Sequence, residues 1–234
     1  MDTQGYGRGP GERLAIGATI VANARVVDTA LVKARLAAFI AAHRDYAGAQ
    51  SKVDAAEASL RSLQAKVLRR ERAADDAVET LALALIAEGH PRTKPFGVLG
   101  GVAPSAVKSL AIPAKAKAIH DLVAAAQRSR LTSQKTRDAA RVADQAARAM
   151  ETALLAIDPA ERDIRQLRGQ RDTLGHPWER ALAALRRGAR AAFDDGAPTL
   201  YTALFGFPPR PARKNGKPIV TPTPDPTPVP ASTA

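Results

Sequence analysis

His176 and Glu179 stand three residues apart, a spacing at which a histidine and a carboxylate on one helix face could share a metal ion. Such a centre needs further carboxylates and histidines from neighbouring helices. The other histidines are scattered at His43, His90 and His120, and no two of the four stand at ligand spacing. The chain has no cysteine, which removes thiolate metal sites, disulfides and cysteine nucleophiles together. His176 reads as part of a turn, and Glu179 as an acid favoured near a helix N-terminus. No serine stands in a nucleophile-elbow motif. Asp75-Asp76 and Asp194-Asp195 read as solvated or capping pairs. The sequence therefore assigns no metal, no cofactor and no catalytic residue, and it predicts a non-enzymatic protein.

Anion chemistry is better represented. The Gly-rich stretch Lys94–Gly101 could offer backbone amides to an anion, with Arg92 close by, but it lacks the phosphate-loop pattern and reads as a connector. Arginine is the main cation in Arg162, Arg165, Arg168 and Arg171, then in Arg180, Arg186, Arg187 and Arg190. Its guanidinium suits bidentate contacts to phosphate or carboxylate. Steps of three wrap the first four round half a helix, so a solvated face with arginine stems over Ala-rich surface competes with this reading. A basic peptide follows at Arg210, Arg213, Lys214 and Lys217. Pro208 to Arg213 also satisfies P-x-x-P-x-R, a pattern read in polyproline conformation by SH3 domains.

The elements that must position these residues are helices. Alanine supplies 51 of 234 residues and aromatics only 4%. That composition favours thin, close-packed helix pairs over a wide core, and alanine is the strongest helix former. Ile119, Leu122, Ala126, Ser129, Ser133, Thr136, Ala140, Ala143, Ala147, Met150, Leu154 and Ile157 form an uncharged heptad seam. It reads as one unbroken helix of about 60 Å over residues 114–157. Earlier in the chain, Ile20, Ala24, Val27, Leu31, Ala34, Ala38 and Ala41 make one seam. Val53, Ala56, Leu60, Leu63, Val67, Ala74, Ala77, Leu81 and Ala84 make another, with Arg70 as its violation. The two slip in register near Gly48, so residues 12–88 read as a long helix that either continues through a stutter or bends at Gly48.

Gly89 and Pro91 stop that helix with a left-handed cap and a residue that cannot continue the ladder. Residues 89–113 read as a Gly/Pro-rich loop with a short helix from Pro104 to Ile112. After the main helix, Asp158-Pro159 and Gly175-His176-Pro177 punctuate further helices within a second half spanning 114–206. Trp178, Phe193, Tyr201, Phe205 and Phe207 read as a local core near its end. Residues 1–11 read as a disordered Gly-rich arm, and 207–234 as a disordered tail, basic and then Thr/Pro-rich.

The net charge of +12 lies mainly in the second half: residues 1–88 carry 12 basic and 11 acidic groups, or +1. Such a balance favours anionic partners without fixing a fold. No uncharged run approaches the roughly 18–20 residues of a membrane helix. Leu14–Ala24 has the outline of a signal peptide ending near Ala24, but Asp2 and Glu12 spoil its basic region and the helical pattern runs through the cut. The expectation is an all-α, cytoplasmic protein: a long antiparallel helical hairpin or elongated four-helix bundle, coiled-coil-like, with Ala-rich seams. As a function it predicts a scaffold or protein-interaction protein that self-associates. The alternative is a nonspecific nucleic-acid-binding protein using helices 160–194 and the basic tail 210–217.

Overall fold

A computed structural model describes residues 8–192 and 194–206, and every regular element among them is helical. The helices are α1 (Pro10–Asn23), α2 (Lys33–Ala87), α3 (Pro104–Lys108), α4 (Ile112–Arg128), α5 (Gln134–Leu155), α6 (Ile157–Thr173), α7 (Gly175–Ala191) and α8 (Leu200–Phe205). Short 3₁₀ turns occupy Ala30–Val32 and Pro95–Leu99. The expectations for Phe193, for residues 1–7 and for the tail 207–234 lie outside the described residues.

The architecture is a long antiparallel helical hairpin. Its first arm is α2, 55 residues and therefore about 80 Å long. Its second arm is α5, α6 and α7 end to end, with single residues, Ala156 and Leu174, between them. The pairing is read from contacts that descend α2 as the chain advances. Ser133 and Thr136 meet Glu88. Arg168 then reaches Glu57 and Arg171 reaches Gln50. Finally Trp178 meets His43, and Gly188 lies against Arg35. Pro159 and Pro177 do not interrupt this arm, because each falls in a first helical turn where its missing N–H has no partner to lose.

The first arm corrects the reading of residues 12–88. Helix α2 runs through Gly48, and the break falls earlier, at Ala24–Thr29. There the Asp28 carboxylate accepts from the Ala30 amide at 3.0 Å, a local bond that competes with the helical ladder. With α1 a separate helix, no register slip is needed. The face of α2 that is buried runs Leu36, Phe39, Tyr46, Val53, Val67, Ala74, Ala77, Val78, Leu81 and Leu85. Leu31, Ala34, Ala38 and Ala41 of the expected first seam are exposed instead. The stop at Gly89 is as read: φ is +92°, and the His90 amide donates back to the Leu85 carbonyl at 3.2 Å.

The seam from Ile119 to Ile157 is likewise split. The helix breaks at Ser129–Ser133, and α4 folds back on α5. Thr132 Oγ1 donates to the Ala126 and Ser129 carbonyls, and Ser133 caps α5 by accepting from the Thr136 amide at 3.3 Å. Seam members on both sides remain buried: Ile119, Leu122 and Ala126 on α4, and Thr136, Ala140, Ala143, Ala147 and Met150 on α5.

Two hydrophobic cores result. One joins the C-terminal part of α2 to Phe96, Val107, α4 and α5, and is rich in alanine. The other joins α1, the N-terminal part of α2, α7 and α8 round Trp178. Trp178, Leu182, Leu185 and Ala189 present one buried face, as expected for a local core. Between the cores the hairpin thins to α2 against α6, where Val53, Val67 and Ile164 are buried.

Candidate functional site

The structure disperses the arginines that the sequence grouped. On α6, Arg168 pairs with Glu57 at 2.6 Å, and Arg171 donates to Gln50 at 3.0 Å and to Asp172. Arg165 stands 3.9 Å from Glu161, and Arg162 donates to the Asp158 carbonyl at 3.4 Å. On α7, the Arg186 guanidinium lies 5.6 Å from the Phe205 ring centroid and that of Arg190 5.1 Å from Tyr201. Arg168 and Arg171 thus stitch the hairpin arms together, while Arg186 and Arg190 hold α8. Arg180 and Arg187 are exposed, with no ion pair among the described residues. Arg210, Arg213, Lys214 and Lys217 lie outside the described residues.

His176 and Glu179 do not form a site. Glu179 accepts from Arg8 and Arg13, the latter at 3.2 Å, and so clasps α1 to α7. His176 is exposed. Among the described residues no group of three histidines or carboxylates is placed to hold a metal ion.

A histidine–carboxylate arrangement does occur elsewhere. His120 on α4 has Nδ1 2.7 Å from Asp144 Oδ1 and Nε2 3.3 Å from Glu151 Oε2 on α5. Arg148 donates to the second oxygen of Asp144 at 2.9 Å. These side chains line an open groove of about 440 Å³ with Val123, Ala124 and Gln127. With a carboxylate on each ring nitrogen, the imidazole is held in one orientation. No hydroxyl or thiol lines the groove to serve as a nucleophile. The arrangement ties α4 to α5. On an unbroken helix, His120 and Asp144 would lie about 36 Å apart, so only the break at Ser129–Ser133 could have revealed the pair.

Among the described residues the most buried charge is Lys115, whose side chain is 1% exposed. Its ammonium donates to Glu71 at 2.8 Å and Asp75 at 3.0 Å on α2. Burial alone would lower its pKa, but those hydrogen bonds and charges raise it above the usual lysine value. A second polar clasp closes the far end. Glu88 accepts from the Ser133 amide at 3.1 Å and from both hydroxyls of Ser133 and Thr136. Burial acts to raise the Glu88 pKa, and these donors override it, so the carboxyl titrates below its ordinary value.

A further basic segment, hidden in the overall charge balance, lies on α2. Residues Arg61 to Arg72 of α2 hold Arg61, Lys66, Arg69, Arg70 and Arg72 against one acid, Glu71. The +1 total for residues 1–88 hid it, because the balancing acids lie elsewhere along the chain. No family model matches this chain, and neither a curated protein nor a solved structure matches it.

Proposed function

We propose that this protein is a non-enzymatic helical scaffold of the cytoplasm, which spaces two small cores along one rigid helix and associates with itself. The observation that carries this reading is that α2 contributes buried residues to both cores, so their separation is fixed by a single helix. Helix α1 belongs to the second core: Ile16 and Ile20 are buried in the cluster that holds Trp178, and Asn23 donates to the Leu204 carbonyl at 3.1 Å. No described helix is long and apolar enough to cross a membrane.

Self-association is assigned to the junction of α5 and α6. Leu154, Leu155, Ala156 and Ile157 form an apolar run there, and Leu155 is 75% exposed. Leu68, the other exposed leucine of the thin region, stands among arginines, where a second copy would meet like charge. Sedimentation equilibrium over a range of concentrations tests the reading. A dimer or higher species that Leu155→Gln weakens by about tenfold, the worth of one buried leucine, is expected. A monomer at every concentration contradicts it.

A further inference from the structure

We infer that the outer face of α2 between Arg61 and Arg72 is a binding surface for the phosphate backbone of double-stranded nucleic acid. Arg61, Arg69 and Arg72 are spaced i, i+8 and i+11, which keeps them on one side of the helix. Val67 and Ala74, buried against the second arm, mark the opposite side. Lys66 and Arg70 carry the positive charge round the helix from Arg69 towards the buried side, and all five cations are exposed. None has an ion pair among the described residues.

Of the nearby acids, Asp54 and Asp76 are exposed and bound the face at its two ends, and the others are committed elsewhere. Glu71 and Asp75 turn to the buried ammonium of Lys115, on the α4 side. Glu57, just before the segment, takes Arg168, and Glu79, just after it, takes Lys108 at 2.9 Å. Residues 61–72 therefore keep a local excess of four positive charges, with Arg61, Arg69 and Arg72 on the side turned away from the second arm.

The chemistry of the face selects among anions. Four of its five cations are arginine, whose planar fork matches phosphate oxygens. They are fixed on a straight helix over about 16 Å, a length over which a duplex presents roughly ten phosphate charges. Aromatic side chains among the described residues belong to the two cores, so this face offers no stacking platform for unpaired bases. Sequence-independent contact with a duplex backbone is what such a surface can make.

The test is fluorescence anisotropy of labelled random-sequence duplex DNA with the full chain at several salt concentrations, with circular dichroism of each variant as the control for folding. Wild-type protein is expected to bind with a dissociation constant of about 10⁻⁴ to 10⁻⁶ M, weakening steeply with salt. The triple variant Arg61→Gln, Arg69→Gln, Arg72→Gln should bind at least about tenfold more weakly, with the salt slope reduced by about 0.9 per lost phosphate contact. Arg180→Gln with Arg187→Gln on α7 should change binding far less. If the triple variant loses helicity, the single reversal Arg69→Glu carries the comparison. Duplex binding unaltered by the α2 variants, or absent from the wild type at low salt, overturns the inference. Binding of poly-glutamate in preference to the duplex overturns it in favour of an acidic protein.

Discussion

His43 shows how one residue can tie several elements together. It lies between α1 and α7, its ring stacked on Phe39 with centroids 6.1 Å apart. Trp178 Nε1 donates to its Nδ1 at 3.4 Å, which requires that nitrogen to be unprotonated. Burial holds the His43 pKa below its ordinary value. The unfolded chain therefore takes up a proton at His43 more readily than the folded one. His43 leaves stability unchanged above about pH 6.5 and lowers it as pH falls from there towards the folded pKa. Urea midpoints measured between neutral and mildly acidic pH should fall in this way, and His43→Gln should remove much of the slope; an identical slope in the variant would contradict this role for His43. Gly17 is the other half of this contact, since a Cβ there would run into the His43 ring. The ring is held between Phe39 and Trp178 and cannot step aside, so Gly17→Ala should cost about 1–3 kcal/mol, read from chemical denaturation. At the opposite core, Lys115→Ala would leave Glu71 and Asp75 facing one another without a cation. Both are about a quarter exposed, so the loss should be nearer 2 kcal/mol than the larger figures for fully buried pairs.

At the scale of elements, Gly48 separates what the sequence could and could not reveal. As a helix breaker it drew attention to itself, yet it sits inside an unbroken α2, and a Cβ built there meets nothing within 4 Å. Gly48→Ala should therefore stabilise the protein by about 0.5–1 kcal/mol in a thermal melt, by helix propensity alone. A hinge at this position would instead make the substitution neutral or harmful. The helical class, the Ala-rich contacts and the stop at Gly89 were legible because each has a strong local cause. The two true breaks were not, because Asp28 and the Ser129–Ser133 stretch act through local side-chain hydrogen bonds with no glycine or proline to mark them. The first expected seam was misread because half-buried His43 and Gln50 interrupt the apolar members Leu36, Phe39, Tyr46 and Val53 of the real face, while the uninterrupted Leu31, Ala34, Ala38 and Ala41 series faces solvent. Glu88 shows a further device beyond sequence reading. An acid at a helix C-terminus is unfavourable for that helix, but this one also sits on the N-terminus of α5, where an anion is favoured. Glu88→Gln should lower stability by about 1 kcal/mol near neutral pH, with the difference from wild type shrinking as pH falls through the depressed pKa of Glu88.

For the molecule as a whole, the hairpin divides labour along its length. The two cores supply stability, and the thin region between them carries the features with no internal use, Leu155 on one arm and the Arg61–Arg72 face on the other. The arginines picked out from sequence on α6 and α7 turn out to spend much of their capacity within the fold, on Glu57, Gln50, Phe205 and Tyr201. Charge composition located neither result, since a net total cannot say which acids are already engaged. All of this rests on α2 being one rigid helix that enters both cores. Because the chain has no cysteine, spin labels can be placed at chosen sites without background. Ala41→Cys and Ala73→Cys are exposed positions of α2 on either side of Gly48. Electron–electron dipolar spectroscopy of this doubly labelled protein should give one narrow distance distribution near 48 Å, from about 1.5 Å of rise per residue. A distribution that is broad, or centred well below that length, would mean that α2 bends between the cores and would contradict the scaffold account.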